Sequence, residues 1–173
     1  ILMEGALGER LKREYGLTFD EQVAMAKLLY EEKGATALTE IWNSYIEIAR
    51  TYQLPFVATT PTRRANQERV IKANGSKQLI LDNVKFLRHI QQESGVEMYV
   101  GGLLGCKGDA YTGYGSLTEQ EAESFHSWQA DAFQEADTFG LSFPITKHSV
   151  MVKSSAELLD AIPKAFEIAL NGR

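Results

Sequence analysis

Residues 122–137, AESFHSWQADAFQEAD, decide how the rest of the chain is interpreted. Just before them, Thr118 and Glu121 have the spacing of a capping box, in which each side chain binds the backbone N–H of the other residue. This spacing predicts the start of a helix. One face of the predicted helix carries Ala122, Phe125, Gln129, Ala132 and Phe133. The pattern is typical of an amphipathic helix that packs one face on a core.

The bulk composition indicates a globular protein of one domain, residues 1–173, with 44% hydrophobic and 24% charged residues. The chain is too short for an eight-stranded α/β barrel, which usually needs roughly 250 residues. A net charge of -5 without a basic block argues against a nucleic-acid partner. No apolar run approaches the roughly 20 residues of a membrane span. The single cysteine fits a reducing compartment, so we expect a cytoplasmic protein.

Short apolar runs alternate with helical patterns along the whole chain. This alternation is typical of βα units and a parallel sheet. We predict an α/β fold with a single-layer, mostly parallel sheet of about five strands, half-barrel or flavodoxin-like, with helices on its faces. The predicted strands are residues 1–3, 35–41, 56–59, 97–100 and 148–152.

Three helix predictions depend on particular residues. Thr18 and Glu21 repeat the capping-box spacing, which predicts a helix from Phe19 to Lys33 that stops at Gly34. Ile80, Val84, Leu87 and Ile90 recur at helical spacing and predict a core-facing stripe. In the last predicted helix, Pro163 should cause a kink or a late start. Residues 138–146 fit either a strand or a helix tail.

Two loops could bind an anion. Gly5, Ala6 and Gly8 could present backbone N–H groups to a carboxylate or phosphate, although a plain turn is the simpler explanation. Arg63 and Arg64 follow the predicted strand 56–59 and could hold a carboxylate in a fork, or simply be solvated.

A third loop, residues 101–115, is rich in glycine and follows a strand, a position where long loops often lie over a site. Its polar residue Asp109 is a further ligand-binding candidate. Cys106 and the three histidines show no metal-ligand spacing, so we expect no metal and no cofactor.

Residues 1 to about 130 resemble the first half of the homocysteine S-methyltransferase family. Three motifs carry the resemblance, in the same order and spacing: LMEGALG at 2–8, ATTPTRRAN at 58–66 and GLLGCKGDAY at 102–111. The family is a (β/α)8 barrel that transfers a methyl group to homocysteine, whose thiolate is activated by zinc. The resemblance therefore implies half of such a barrel.

The resemblance implies that Glu4, Gly5 and Ala6 lie by the amino-acid end of homocysteine, although the family often has Asp where this chain has Glu4. With Thr60, Arg63 and Asp109 they form the residual ligand-binding candidates. The zinc ligands of the family are cysteines of its second barrel half, and Cys106 corresponds to none of them. We therefore expect no catalytic residue here.

From about residue 131 the chain resembles acetohydroxyacid synthase, a thiamine-diphosphate enzyme. The motifs are DAFQEAD at 131–137, PITKH at 144–148, VMVKS at 150–154 and AFEIA at 165–169. They match the end of the pyrimidine-binding domain, which contains neither the family's catalytic glutamate nor its diphosphate-binding domain. The resemblance implies no thiamine chemistry.

The sequence therefore predicts an engineered chimera whose two parts join within one helix, without a complete native active site or catalytic activity. One alternative is a fragment or reduced homologue of a zinc-dependent homocysteine S-methyltransferase. Another is a binding module for a small anion or amino acid. An exposed sheet edge or face would allow a homodimer.

Overall fold

The computed structural model describes residues 1–108, 117–142 and 155–170. In these ranges the chain is an α/β protein with three strands, six α-helices and one 3-10 helix. The strands are β1 (Leu2–Met3), β2 (Phe56–Thr59) and β3 (Met98–Gly101). The helices are α1 (Leu7–Tyr15), the 3-10 helix Met25–Tyr30, α2 (Glu32–Tyr52), α3 (Gln67–Lys72), α4 (Gln78–Glu93), α5 (Glu119–Ser142) and α6 (Ser155–Leu170).

The three strands form one open parallel sheet in the order β1-β2-β3. Phe56 is paired with Leu2 on one side and with Met98 on the other. Parallel strands require a crossover between them, and the helices after each strand supply it. The predicted α/β class and parallel sheet are confirmed, and so are the predicted strands at residues 1–3, 56–59 and 97–100.

The predicted strand at residues 35–41 is wrong, because this segment lies inside the 21-residue helix α2. The buried residues of α2 recur every three or four positions, which is the helical period. They are Gly34, Ala37, Leu38, Ile41, Trp42, Ile46 and Ala49. The short apolar run taken for a strand was therefore one part of a longer helical stripe.

Gly34 does not end a helix but lies in the first turn of α2. A Cβ atom at this position would lie 2.3 Å from the backbone oxygen of Leu28, at the 3-10 helix. Glycine is required here because two backbones approach closely, and not because a helix stops.

The predicted helix from Phe19 to Lys33 is also wrong. Asp20 makes a turn instead: its Oδ1 accepts the backbone N–H of Gln22 at 2.8 Å and of Val23 at 2.9 Å. The chain then enters the 3-10 helix Met25–Tyr30. The Asp20 side chain closes this turn, because an Asp oxygen readily accepts N–H groups two and three residues on, and no side chain caps the 3-10 helix.

Helix α1 was not predicted. Leu7 and Leu11, one helical turn apart, are both buried on it. Gly16 ends it in the left-handed conformation, at φ 62°, and its N–H bonds the last turn. The glycines at 5 and 8 had suggested only a turn, which hid the short amphipathic pattern.

Helix α5 has the predicted capping box. The N–H of Thr118 donates to Glu121 Oε2 at 2.9 Å, and the N–H of Glu121 donates to Thr118 Oγ1 at 3.4 Å. Of the predicted face, Gln129, Ala132 and Phe133 are buried, whereas Ala122 and Phe125 are half-buried. The helix continues to Ser142, so at least residues 138–142 form a helix tail.

The predicted fifth strand, residues 148–152, lies outside the described residues. Pro163 lies inside α6, where Ile162 and Phe166 are exposed. Within the described part of the chain, no helix combines the length and apolarity that crossing a membrane requires.

Two clusters of buried side chains form the core. The larger contains residues of α1, α2, α4 and the strands, including Trp42 and Phe56. The smaller joins α3, α4 and α5, and Phe133 belongs to it. The predicted stripe of α4 is confirmed, because Ile80, Val84, Leu87 and Ile90 are all buried.

Candidate functional site

A cavity of about 270 Å³ opens beside the carboxyl ends of β1 and β2. In open parallel sheets, ligands bind at this end of the strands, where the loops converge. The cavity is bounded by β1, the first turns of α1, the segment before α2, and the loops after β2 and β3. Its lining residues are Met3, Glu4, Ala6, Leu7, Gly8, Glu9, Lys12, Phe19, Met25, Thr59, Thr60, Pro61, Arg63 and Leu103.

Glu4 follows β1 directly, and its carboxylate is held by donors from two other elements. Oε2 accepts the indole Nε1–H of Trp42 at 2.6 Å. Oε1 accepts the backbone N–H of Thr59 at 2.9 Å and also the Thr59 hydroxyl. The carboxylate therefore joins β1, β2 and α2 at the floor of the cavity.

The pKa of Glu4 is raised above its ordinary value of 4.5. Burial is the largest cause, because it disfavours the charged form. The hydrogen bonds from Thr59 and Trp42 act in the opposite direction, since they stabilise the carboxylate, but they do not cancel the effect of burial.

Gly5 and Ala6 bring the chain from β1 into α1. The Tyr45 hydroxyl donates to the carbonyl of Gly5 at 2.8 Å and accepts its N–H at 3.2 Å, which fixes this peptide. Ala6 has the left-handed conformation, with φ 52° and ψ 29°, and no side chain caps the helix that follows. The first turn of α1, at Leu7, Gly8 and Glu9, therefore borders the cavity with an uncapped N-terminus, which favours negative charge.

Two cationic side chains line the cavity. Arg63 lies in the loop after β2, residues 60–66 (the β2 loop), whereas its neighbour Arg64 is not among the lining residues. Lys12 lies one turn into α1, where its Nζ is 3.6 Å from Glu9 Oε1 and 5.3 Å from the centre of the Phe19 ring. The cavity thus combines carboxylates, cations and an apolar wall.

Thr60 also lines the cavity, but its hydroxyl is turned into the protein. The side chain is fully buried, and its Oγ1 lies 2.7 Å from Thr62 Oγ1 and accepts the N–H of Leu103 at 3.1 Å. This places Thr60 in the contact between the β2 loop and the loop after β3, residues 102–108 (the β3 loop).

Gln129 does not line the cavity but binds two loops that do, a role that was not predicted from the sequence. It projects from α5 and is 1% exposed. Its Oε1 accepts the N–H of Gly105 at 2.8 Å, and its Nε2 donates to the carbonyls of Thr62 and Leu103, each at 3.2 Å. The sequence offered one indication of this role, because Gln129 is the polar residue on an otherwise apolar helix face.

The structure therefore brings together Glu4, Ala6, Thr60 and Arg63 of the predicted set, with Gly5 between the first two. Asp109 lies outside the described residues. Cys106 is exposed, and its carbonyl accepts a hydrogen bond from Asn66 Nδ2 at 2.9 Å. The ligand-binding role of the set stays a prediction.

The described residues do not fit a zinc centre. Among residues 1–108, 117–142 and 155–170, no three His, Cys, Asp or Glu side chains are grouped so that they could hold a metal ion. Zinc sites usually have at least three protein ligands, and thiolates are frequent among them. This chain has one cysteine in its whole sequence.

Comparison with known proteins finds two families. The family model described as Homocysteine S-methyltransferase matches residues 1–164, which passes the limit near residue 130 that the motifs indicated. No solved structure matches the chain.

The second family is acetolactate synthase. The isozyme 1 large subunit of Escherichia coli (strain K12) is 54% identical over 43 residues, which are 25% of this chain and 8% of that protein. The mitochondrial catalytic subunit of Aspergillus candidus is 59% identical over 44 residues, 25% of this chain and 6% of that protein. The chain thus spans less than a tenth of the curated relatives it matches. Both resemblances predicted from the sequence are confirmed.

Proposed function

The chain belongs to the homocysteine S-methyltransferase family, and from this membership we propose that it binds a small amino acid in the cavity at β1 and β2 without a complete methyl-transfer centre of its own. The proposal treats the chain as a single α/β domain that keeps one half of the family's ligand site. The observation that carries it is the half-buried, rigidly held carboxylate of Glu4 beside the cavity.

Glu4 suits the ammonium group of the ligand. A carboxylate offers about four acceptor sites, and three are occupied by Trp42 Nε1, Thr59 N and the Thr59 hydroxyl. One further donor can therefore be accepted without breaking these bonds. Because the carboxylate is already oriented and partly desolvated, little reorganisation is needed when an ammonium group binds.

Other groups that line the cavity suit the ligand's carboxylate. The uncapped first turn of α1 supplies backbone N–H groups and the positive end of the helix dipole. Arg63 adds positive charge to the same cavity lining, whereas Lys12 is already beside the Glu9 carboxylate. Cations and a helix N-terminus together attract a carboxylate more strongly than either does alone.

The apolar wall suits a short aliphatic or sulfur-containing side chain. It is formed by Leu7, Phe19, Met25 and Leu103. A cavity of about 270 Å³ is at the small end of the range for ligand sites, roughly 300–1,000 Å³, so it admits an amino acid rather than a nucleotide.

Isothermal titration with L-homocysteine tests the proposal, with L-methionine and D-homocysteine as comparisons. We expect the L-amino acids to bind more tightly than the D-enantiomer. Glu4→Gln and Arg63→Ala should each weaken binding about tenfold, or about 1.4 kcal/mol. Arg64→Ala is the matched control and should leave the affinity unchanged, since Arg64 is absent from the cavity lining. Equal affinities for all four proteins would contradict the proposal, as would the absence of any binding heat.

The absence of a complete methyl-transfer centre is tested separately. In the family, zinc activates the thiol, but the described residues offer no ligand set for it. Elemental analysis of the purified protein should find far less than one zinc ion per chain, and no methylated product should form. Stoichiometric zinc together with thiol-dependent methyl transfer would overturn this half of the proposal.

We further propose that the chain is an engineered chimera of the two matched families. The acetolactate synthase match covers only 25% of the chain, and the resembling motifs begin within α5 rather than at a linker. Natural fusions usually join whole domains through exposed linkers. The test is to sequence genomic DNA for a reading frame that encodes the same junction. A natural reading frame of this kind would contradict an engineered origin.

A further inference from the structure

We infer that Gln129 is a positioning residue, which holds the β2 loop and the β3 loop in the arrangement that the cavity requires. The inference rests on the proposed amino-acid site and deepens it: ligand affinity is coupled to the docking of α5. The observation that supports this inference is that one buried amide makes three hydrogen bonds with the two loops.

Both donor hydrogens of the Gln129 amide, and one of the two acceptor sites on its oxygen, are occupied by hydrogen bonds. Its oxygen accepts from Gly105 in the β3 loop, and its nitrogen donates to Leu103 in the same loop and to Thr62 in the β2 loop. A Gln amide supplies both an acceptor and two donors. A carboxylate of the same shape can only accept, and an apolar side chain can do neither, so the amide is chemically specific here.

The bonded atoms are adjacent to the cavity wall. Thr62 lies between Pro61 and Arg63, and both of these line the cavity. Leu103 lines the cavity itself. A shift of either carbonyl therefore moves lining groups directly, without transmission through a flexible segment.

The two loops also pack closely against each other. A Cβ at Gly105 would lie 2.9 Å from the backbone oxygen of Arg63. A Cβ at Gly102 would lie 2.9 Å from the ring of Phe133, one turn after Gln129 on α5. Helix α5 thus packs on the β3 loop through Phe133 and bonds both loops through Gln129.

The test uses two variants of Gln129 in the full chain. Gln129→Met keeps the side-chain length and removes all three hydrogen bonds. Gln129→Glu keeps the shape and the acceptor for Gly105, but places a carboxylate opposite the two carbonyls. Ile90→Ala is the destabilised control, because Ile90 is buried near the end of α4, away from the cavity lining.

The first measurement needs no ligand. Hydrogen exchange of the Gly105 amide should be about tenfold faster or more in Gln129→Met than in the wild type, under conditions where both are folded. In Gln129→Glu this amide should stay protected. Unchanged exchange in folded Gln129→Met would overturn the inference, and if that variant does not fold, the affinity of Gln129→Glu decides.

The second measurement is the affinity for L-homocysteine. Both Gln129 variants should bind about tenfold more weakly, whereas Ile90→Ala should lower the melting temperature and leave the affinity within about twofold. Equal losses in the control and the variants would show a merely structural role and overturn the inference. A wild type that binds no amino acid would refute the proposed ligand, while the exchange measurement would still decide whether Gln129 holds the loops.

Discussion

Trp42 Nε1 donates a hydrogen bond to Glu4 Oε2 over 2.6 Å, although the two residues are 38 positions apart in the chain. The indole is fully buried in α2, so the orientation of the cavity carboxylate depends on the main core. Packing and ligand binding are thereby linked at one side chain.

Trp42→Phe should weaken both the fold and the site. The loss of the buried donor and of ring volume should lower the free energy of unfolding by about 1–3 kcal/mol. L-Homocysteine affinity should fall as well, because Glu4 loses one of its three anchors. Urea unfolding and titration calorimetry measure the two effects. Ile90→Ala is the control, because it removes volume from the same core cluster but leaves the indole donor in place, and it should leave the affinity within about twofold. Unchanged affinity in Trp42→Phe would contradict the link.

Ligand affinity should fall as the solution is acidified, and it should begin to fall at a higher pH than it would if Glu4 had the pKa of an ordinary glutamate. The ionised Glu4 binds the ammonium group, and its pKa is raised above 4.5, chiefly by burial. The ligand's own charged groups stay ionised between about pH 4 and 7. Titrations across this interval should show the loss in the wild type and a flat, weaker response in Glu4→Gln. A midpoint at or below 4.5 would contradict the raised pKa.

The stability of the free protein should change with pH in the opposite sense. Because the pKa of Glu4 is raised in the folded state, Glu4 contributes to the free energy of unfolding fully below pH 4.5. This contribution is lost as the pH rises through the folded-state pKa. The wild type should therefore gain stability relative to Glu4→Gln as the pH is lowered. Urea unfolding at several pH values measures this difference, and a constant difference would contradict the assignment.

Asp20→Ala should lower the free energy of unfolding at neutral pH by about 0.5–2 kcal/mol, as when a side-chain oxygen that binds backbone N–H groups is removed from a helix N-cap. Asp20 binds the N–H groups of Gln22 and Val23 and pairs with Lys27 at 2.8 Å. Burial raises the pKa of Asp20, but these hydrogen bonds together outweigh it, so the pKa is lowered below 3.8.

Because folding lowers the pKa of Asp20, its carboxylate stabilises the folded protein above pH 3.8. This stabilisation is lost as the pH falls through the folded-state pKa. The difference between the wild type and Asp20→Ala should thus shrink only in strong acid. Asp20→Asn keeps an acceptor for the two N–H groups and should cost less. A deficit for Asp20→Ala that does not depend on pH would contradict the charged role of Asp20.

Gly34→Ala should destabilise the protein by about 1–3 kcal/mol, although alanine is normally the better helix former. The new Cβ would lie 2.3 Å from a backbone oxygen, which cannot move aside as a flexible side chain could. Gly8→Ala is the matched control, since its nearest neighbour is the Met25 side chain at 3.4 Å and it lies within α1. Thermal unfolding should separate the two, and equal melting temperatures would contradict the close approach.

The elements predicted correctly are those whose signals are local. The strands at residues 56–59 and 97–100 are short apolar runs between turn residues, and the capping box of α5 joins residues three positions apart. Such interactions depend on near neighbours, so they can be recognised without a fold. The helical stripe of α4 was predicted correctly for the same reason.

The errors lie where distant packing decides the local structure. Gly34 looked like a helix stop because only its type is visible in the sequence, while the nearby backbone of Leu28 explains it. A helix stop at Gly34 would require a new element at residues 35–41, but these residues lie within α2. Asp20, and not Thr18, binds the backbone N–H groups of the residues that follow, and it closes a turn with them.

The sequence by itself determined the two family resemblances, the α/β class, the parallel sheet and three of the loops that border the cavity. Only the tertiary structure decided that Trp42 orients Glu4 and that Gln129 joins the β2 and β3 loops. The physical reason is that these contacts connect residues 24 to 67 positions apart, and their bonds form only after the helices have packed on the sheet.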